Sequence, residues 1–289
     1  MARAAGTTGA TGAPPAPSRD GLGLVLRGLG QTLITLGLVV LLFAVYEVWV
    51  TNYISEQKQK KVHTALQKQW KDGVDVLALP QGQLAKADGK GIANLYIPRF
   101  GLDYVKTVVE GVDVGDLEKG PGHYPASQLP GQKGNFAVAG HRVGKGEPFL
   151  NLDHLKPGDP VVVETATHWY VYCVLGAASQ AAVCDPNAKG GSLSRPDVNG
   201  VPGRSIVTPS HGEVVLPVPD KLGVDPTEAT TAYLTMTTCT PKFSATDRMI
   251  VHAVLDPAYA AGIQKTKDGS SYSSSVPPEI SALYDLVGA

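Results

Sequence analysis

Three cysteines and seven histidines in 289 residues leave little scope for metal or thiol chemistry, and each candidate can be weighed by itself. No Cys/His spacing for zinc and no acidic calcium loop is present, so no metal is expected. There is no glycine-rich phosphate loop of the ATP-binding kind, which removes nucleotide-driven chemistry. The 25 Lys+Arg stand against 26 Asp+Glu, and this balance lacks the basic excess of a nucleic-acid binder. Glycine and proline, by contrast, are plentiful at 33 and 22 residues, which points to turns and short strands.

The chain divides by composition. Residues 1–27 open with an Ala, Gly, Pro and Thr tract that cannot bury a core and is expected to be disordered. Residues 28–50 are apolar apart from a few polar positions, with Glu47 the single charge, and match the length that crosses a bilayer. Tyr46, Trp49 and Tyr53 cluster at the end of this run, where amphipathic rings favour the interface. A cleaved signal peptide is the alternative, but the run exceeds an h-region and no small-x-small site follows it. Lysines after the run (Lys58, Lys60, Lys61, Lys68, Lys71) outnumber the arginines before it, so charge counting does not favour a cytoplasmic N-terminus. Residues 51–91 read as a helical stalk, with Ile54, Val62, Leu66 and Trp70 near one face, followed by a linker.

From residue 92 to 257 short apolar runs alternate with turn residues. Strands are expected over 93–97, 104–109, 135–139, 160–164, 169–175, 233–238 and 249–255, with one helical turn over 113–117. Such spacing implies an all-β sandwich or barrel with a single core. The tail, 258–289, carries a Ser-rich stretch and is expected to be loosely attached.

Cys173 and Cys184, eleven residues apart, are a possible disulfide in an exported domain, the alternative being two separate buried thiols. Cys239 is left over. It follows a β-branched run and precedes Thr240-Pro241, so its thiol sits at a strand end beside a loop. A buried structural cysteine is the competing reading of that position. His141 also follows a strand and a glycine, and imidazole is the usual acid/base partner of a thiol nucleophile. Arg248 opens the strand after Cys239; if those two strands pair, its guanidinium can face the thiol. None of the three is persuasive alone.

Together, Phe136-Ala-Val-Ala-Gly-His141-Arg142, Thr235-Met-Thr-Thr-Cys239-Thr-Pro and Arg248 form an ordered pattern that resembles the sortase family. Met236 replaces the usual leucine of the cysteine motif. Gly120-Pro-Gly-His-Tyr-Pro125 and Cys239-Thr-Pro-x-Phe-Ser-Ala are most similar to class E, the housekeeping type of high-GC Gram-positive bacteria. The resemblance covers about 92–255, with an insertion around 185–209. It implies an eight-stranded sortase β-barrel with short helices, a membrane anchor, a catalytic domain outside the cell and no cofactor. It implies further that Cys239 attacks the Thr–Gly bond of a Leu-Ala-x-Thr-Gly-like sorting signal on exported proteins. His141 would serve as acid and base, and Arg248 would bind substrate and stabilise the tetrahedral intermediate. The acceptor would be an amine of peptidoglycan or its lipid-linked precursor. Tyr124 would be a substrate-pocket residue and Thr238 an oxyanion support. His123 is the rival to His141 for the base. A membrane-anchored cysteine protease and a non-catalytic wall-binding domain are the competing functions. The His-before-Cys order counts against the papain pattern.

Overall fold

The computed structural model describes residues 21–78, 84, 87–177, 184–187, 189–268, 271–272 and 275–288. It forms two units, 1–46 and 47–289.

The first unit contains helix α1, Gly21–Val45, none of whose residues is buried and which is long and apolar enough to cross a membrane. The helix begins before the expected span. Residues 21–27 are therefore helical and not part of a disordered segment, because Leu22, Leu24, Val25 and Leu26 continue the apolar run past Arg27. Residues 1–20 lie outside the described residues.

In the second unit, eight strands close into a ring. β1 (Gly91–Tyr96) pairs with β2 (Val105–Glu110) on one side and β5 (Pro160–Glu164) on the other. β2 runs parallel to the two-residue β3 (Gly122–His123), which pairs with β4 (Gly134–Ala139). β4 lies parallel to β8 (Ala232–Thr240), β8 antiparallel to β9 (Asp247–Leu255), and β9 meets β6 (His168–Val174), which returns to β5. This is the eight-stranded barrel expected. Closure satisfies the edge hydrogen bonds that an open sheet would expose. Two further strands ride on the ring. β7 (Arg204–Val207), within the 185–209 insertion, pairs with β9, and β10 (Ile263–Gln264) pairs with β6. β11 (Lys267–Asp268) and β12 (Ser271–Tyr272) form a small hairpin.

Strand alternation assigns the faces. Val161, Val163, Phe136, Val138, Leu234, Met236, Val251 and Ala253 fill the interior. Val162, Trp169, Val171 and Cys173 point outward, yet are also buried, because helix α4 (Pro278–Leu286) covers them with Ile280 and Leu283. The tail is thus docked and not loose. Arg99 Nη1 donates to Val287 O at 3.1 Å, and Lys265 Nζ reaches Glu164 Oε1 at 2.6 Å with both groups buried. The periodic apolar residues of the tail lie beyond the Ser-rich stretch that suggested disorder. The disulfide reading holds: Cys173 and Cys184 are bridged.

Helix α2 (Thr51–Lys71) lies against the barrel and does not stand clear as a stalk. Leu66 and Trp70 are buried, packing with Ala166, and His63 Nδ1 lies 3.0 Å from Thr107 Oγ1. Gln59 bonds the backbone of Thr107 and Lys119. Polar residues that look solvated in sequence are here the docking contacts. Val76, Leu84 and Ala87, in the expected linker, join the barrel core.

Candidate active site

The polar row lies on the outer face of the β4–β8–β9 wall. Leu234 and Met236 point inward, so Tyr233, Thr235, Thr237 and Cys239 face out. In the β8–β9 ladder Cys239 pairs directly with Arg248, Thr237 with Ile250 and Thr235 with His252. On the other flank, β4 runs parallel to β8 with Ala139 opposite Thr237. Two residues further along each chain stand His141 and Cys239. The register is held past the strand end by Gly140 N donating to Thr237 O at 3.0 Å and Thr238 Oγ1 donating to Gly140 O at 2.7 Å. Neighbouring strands lie about 4.8 Å apart, so His141, Cys239 and Arg248 occupy three adjacent columns of one face.

Cys239 is the free cysteine of the chain and is half-buried. The other two are consumed by the disulfide. Arg248 is fixed by backbone carbonyls: its Nη1 donates to Asp247 O at 3.0 Å and Ala245 O at 3.2 Å. These contacts leave Nη2 and Nε for other acceptors. The Nε2 of His141 is buried and has no hydrogen-bond partner among the described residues. Burial, followed by the Lys145 ammonium, holds the His141 pKa below the ordinary imidazole value, with Glu118 opposing them. His141 is therefore neutral at rest near pH 7, with a ring nitrogen able to take or give a proton.

The His123 ring is held differently. It is fully buried, with Nδ1 2.7 Å from Glu110 Oε2 and Nε2 3.0 Å from Ser127 Oγ and 3.2 Å from Gln128 O. Its ring stacks on Phe136, and both nitrogens are committed to holding β3 and its loop. Tyr124 reaches the outward face of β8, its Oη 3.1 Å from Thr237 Oγ1, one outward position from the thiol. The Thr238 hydroxyl points the other way and is spent on Gly140 O, which positions the residue before His141.

Sequence reasoning passed over several neighbours of this site. Arg142 is buried against Thr240, its Nη1 donating to Oγ1 at 2.7 Å, and its Nη2 lies 3.1 Å from Asp153 Oδ2. Lys145 and Glu118 bear on His141 through a fold of the chain. As isolated charges in turns they carried no sequence signal, whereas Arg142 lay within the quoted motif.

The arrangement can be compared with known proteins. The sequence profile of the Sortase domain matches residues 95–256. Sortase SrtE1 of Streptomyces coelicolor is 33% identical over 232 residues, covering 78% of this chain and 55% of SrtE1, so the chain spans little more than half that relative. Sortase SrtE2 of the same organism is 29% identical over 229 residues, covering 77% of this chain and 79% of SrtE2. The structure of a SrtF sortase from Corynebacterium diphtheriae superimposes with a TM-score of 0.52 at 41% identity, over 63% of this chain and 90% of that one. With the closed eight-stranded barrel, the free strand-end thiol and these relatives taken together, the chain belongs to the sortase family, with class E members among its relatives.

Proposed function

We propose that this chain cleaves a Leu-Ala-x-Thr-Gly-like sorting signal between Thr and Gly and transfers the acyl group to a cell-wall amine. The observation that carries the reading is the register that places Cys239 opposite Arg248 and beside the column of His141. The Cys239 thiol gives its proton to His141 as the sulfur attacks the threonine carbonyl carbon, and the tetrahedral oxyanion is stabilised by the Arg248 guanidinium. His141 protonates the departing glycine amine, leaving a thioester on Cys239. The acceptor amine then gives a proton to His141, attacks the thioester and releases the thiol. The acyl energy is conserved throughout, so no cofactor enters. Tyr124, whose Oη lies 3.1 Å from Thr237 Oγ1, would contact the substrate beside the thiol, and Thr238 positions Gly140 and hence His141.

The proposed setting is the outer face of a cell membrane, with α1 as the single-pass anchor and exported proteins bearing a C-terminal signal as donors. The Cys173–Cys184 disulfide favours this placement, since such bonds persist in oxidising compartments. The test is incubation of the detergent-solubilised full chain with a Leu-Ala-x-Thr-Gly peptide and a glycine amine, followed by mass spectrometry. A ligated product and a thioacyl adduct at Cys239 are expected, and both should vanish in Cys239→Ala. Hydrolysis alone would point to a protease, and no adduct at all to a binding domain.

A further inference from the structure

The N-terminal half of helix α2 contacts the loop that follows His141. The loop after His141 turns back on itself, Phe149 N donating to His141 O at 3.1 Å. Within it Gly144, Lys145, Gly146 and Glu147 all have positive φ, at 69°, 52°, 77° and 33°. For Lys145 and Glu147 this is sparsely populated backbone, which persists only where the surroundings dictate it. Part of the surroundings is α2. Asn52 Oδ1 accepts from Gly146 N at 3.0 Å, and a Cβ at Gly146 would lie 3.2 Å from Ser55 Cβ, so glycine is needed for the helix to come this close. One turn on, Lys58 Nζ pairs with Glu118 Oε2 at 2.6 Å, and Lys145 Nζ lies 3.3 Å from Glu118 Oε1. Gln59 ties the same helix to Thr107 and Lys119.

We propose that α2 is a positioning element of the active site: through Asn52 and the Lys58–Glu118–Lys145 chain it sets both the shape of the His141 loop and the charge that bears on His141. The inference rests on the reading of His141 as the acid and base. Thr51 stands six residues along the chain from Val45, the last residue of the apolar helix α1.

The charged and titratable groups around His141 are Lys145 in its own loop, Glu118 after the short helix α3 (Val114–Leu117), Cys239 on β8 and Arg248 on β9. Behind them stand Lys58 and Glu56 on α2, Lys106 on β2, Glu147 in the loop, and Arg142 paired with Asp153. Lys145 lowers the His141 pKa and Glu118 raises it. Removing Lys58 leaves one more uncompensated negative charge, so Lys58→Met should move His141 titration upward. Glu118→Gln should move it downward. Opposite signs from two partners of one ion pair separate an electrostatic chain from a simple loss of packing, which would act alike in both.

The test uses the full chain in detergent micelles and two readouts, the pH profile of kcat/KM and the titration of His141 followed by NMR. Lys58→Met and Glu118→Gln should shift both in opposite directions. Asn52→Ala should lower kcat on the order of five-fold, about what one neutral hydrogen bond is worth, with KM little changed. Lys68→Met, on the exposed pair with Asp72 further along the same helix, should move neither. Shifts of the same sign in the two variants, or none in the NMR titration, would overturn the proposal. NMR shifts without any change in the kinetic profile would leave the α2 contacts standing and instead refute His141 as the acid and base.

Discussion

The buried ion pair between Lys265 and Glu164 offers a sharp test of whether the tail belongs to the fold. The pair spans 2.6 Å, and both side chains are 2% exposed. Glu164 Oε2 also accepts from Asn94 Nδ2 and Tyr96 Oη, each at 2.8 Å, and the Lys265 ammonium lies 4.3 Å from the Trp70 ring centroid and 5.4 Å from that of Trp169. One lysine in the tail thus joins β1, β5, β6 and α2. Lys265→Met removes a charge that Glu164 cannot replace with water. Breaking one partner of a buried pair costs about 3–5 kcal/mol. At about 2–4 °C per kcal/mol for a unit of this size, Tm should fall by about 6–20 °C. The double variant Lys265→Met with Glu164→Gln removes the stranded charge as well, and should recover a good part of that loss. The measurement is near-UV circular dichroism of the full chain during heating, at fixed pH and salt. A single variant within 2 °C of the parent, or a double variant as unstable as the single, would refute the argument that stranded charge sets the cost.

Further outcomes can be checked in the same way. Thr238→Val deletes the hydrogen bond to Gly140 O and leaves a carbonyl beside His141 unpaired, so about 1–3 kcal/mol of stability should go, with kcat falling more than KM changes. Opening the Cys173–Cys184 bridge by Cys173→Ala with Cys184→Ala should cost about 3 kcal/mol for so short a loop, read as a lower denaturant midpoint. His252 is fully buried and its pKa is held down to about 4 by desolvation. A group with a depressed imidazole pKa binds its proton first in the unfolded chain, so stability should fall as pH drops from 6.5 towards 4. At 1.36 kcal/mol per pH unit the loss is about 3 kcal/mol, and His252→Asn should flatten that slope in a series of melts at different pH.

Much of the barrel was legible because β-branched runs bounded by glycine and proline announce strands. The sequence reading of β5 matches residue for residue, and β1, β2, β4, β6, β8 and β9 agree within a few positions. β3 and β10, of two residues each, are too short to carry a period, and their existence depends on what they pair with. β7 hid in the 185–209 insertion, where Arg204–Val207 alternates on the rim of β9. The stalk reading within 51–91 missed the docking of α2, because its apolar face is short and the contacts of its N-terminal half are polar. Asn52, Gln59 and His63 look like solvated residues until a barrel supplies their partners.

The amino-acid sequence by itself marked an apolar segment long enough to cross a membrane, the all-β domain and the candidates Cys239, His141 and Arg248, since composition, periodicity and an ordered motif are properties of the linear chain. Only the tertiary structure shows how His141 and His123 differ in their surroundings. The two rings differ in the hydrogen bonds that other strands make to them, and those partners are distant in sequence. It likewise decided that α2 and the tail are parts of the folded unit, because burial and charge pairing are relations between segments that no single segment encodes.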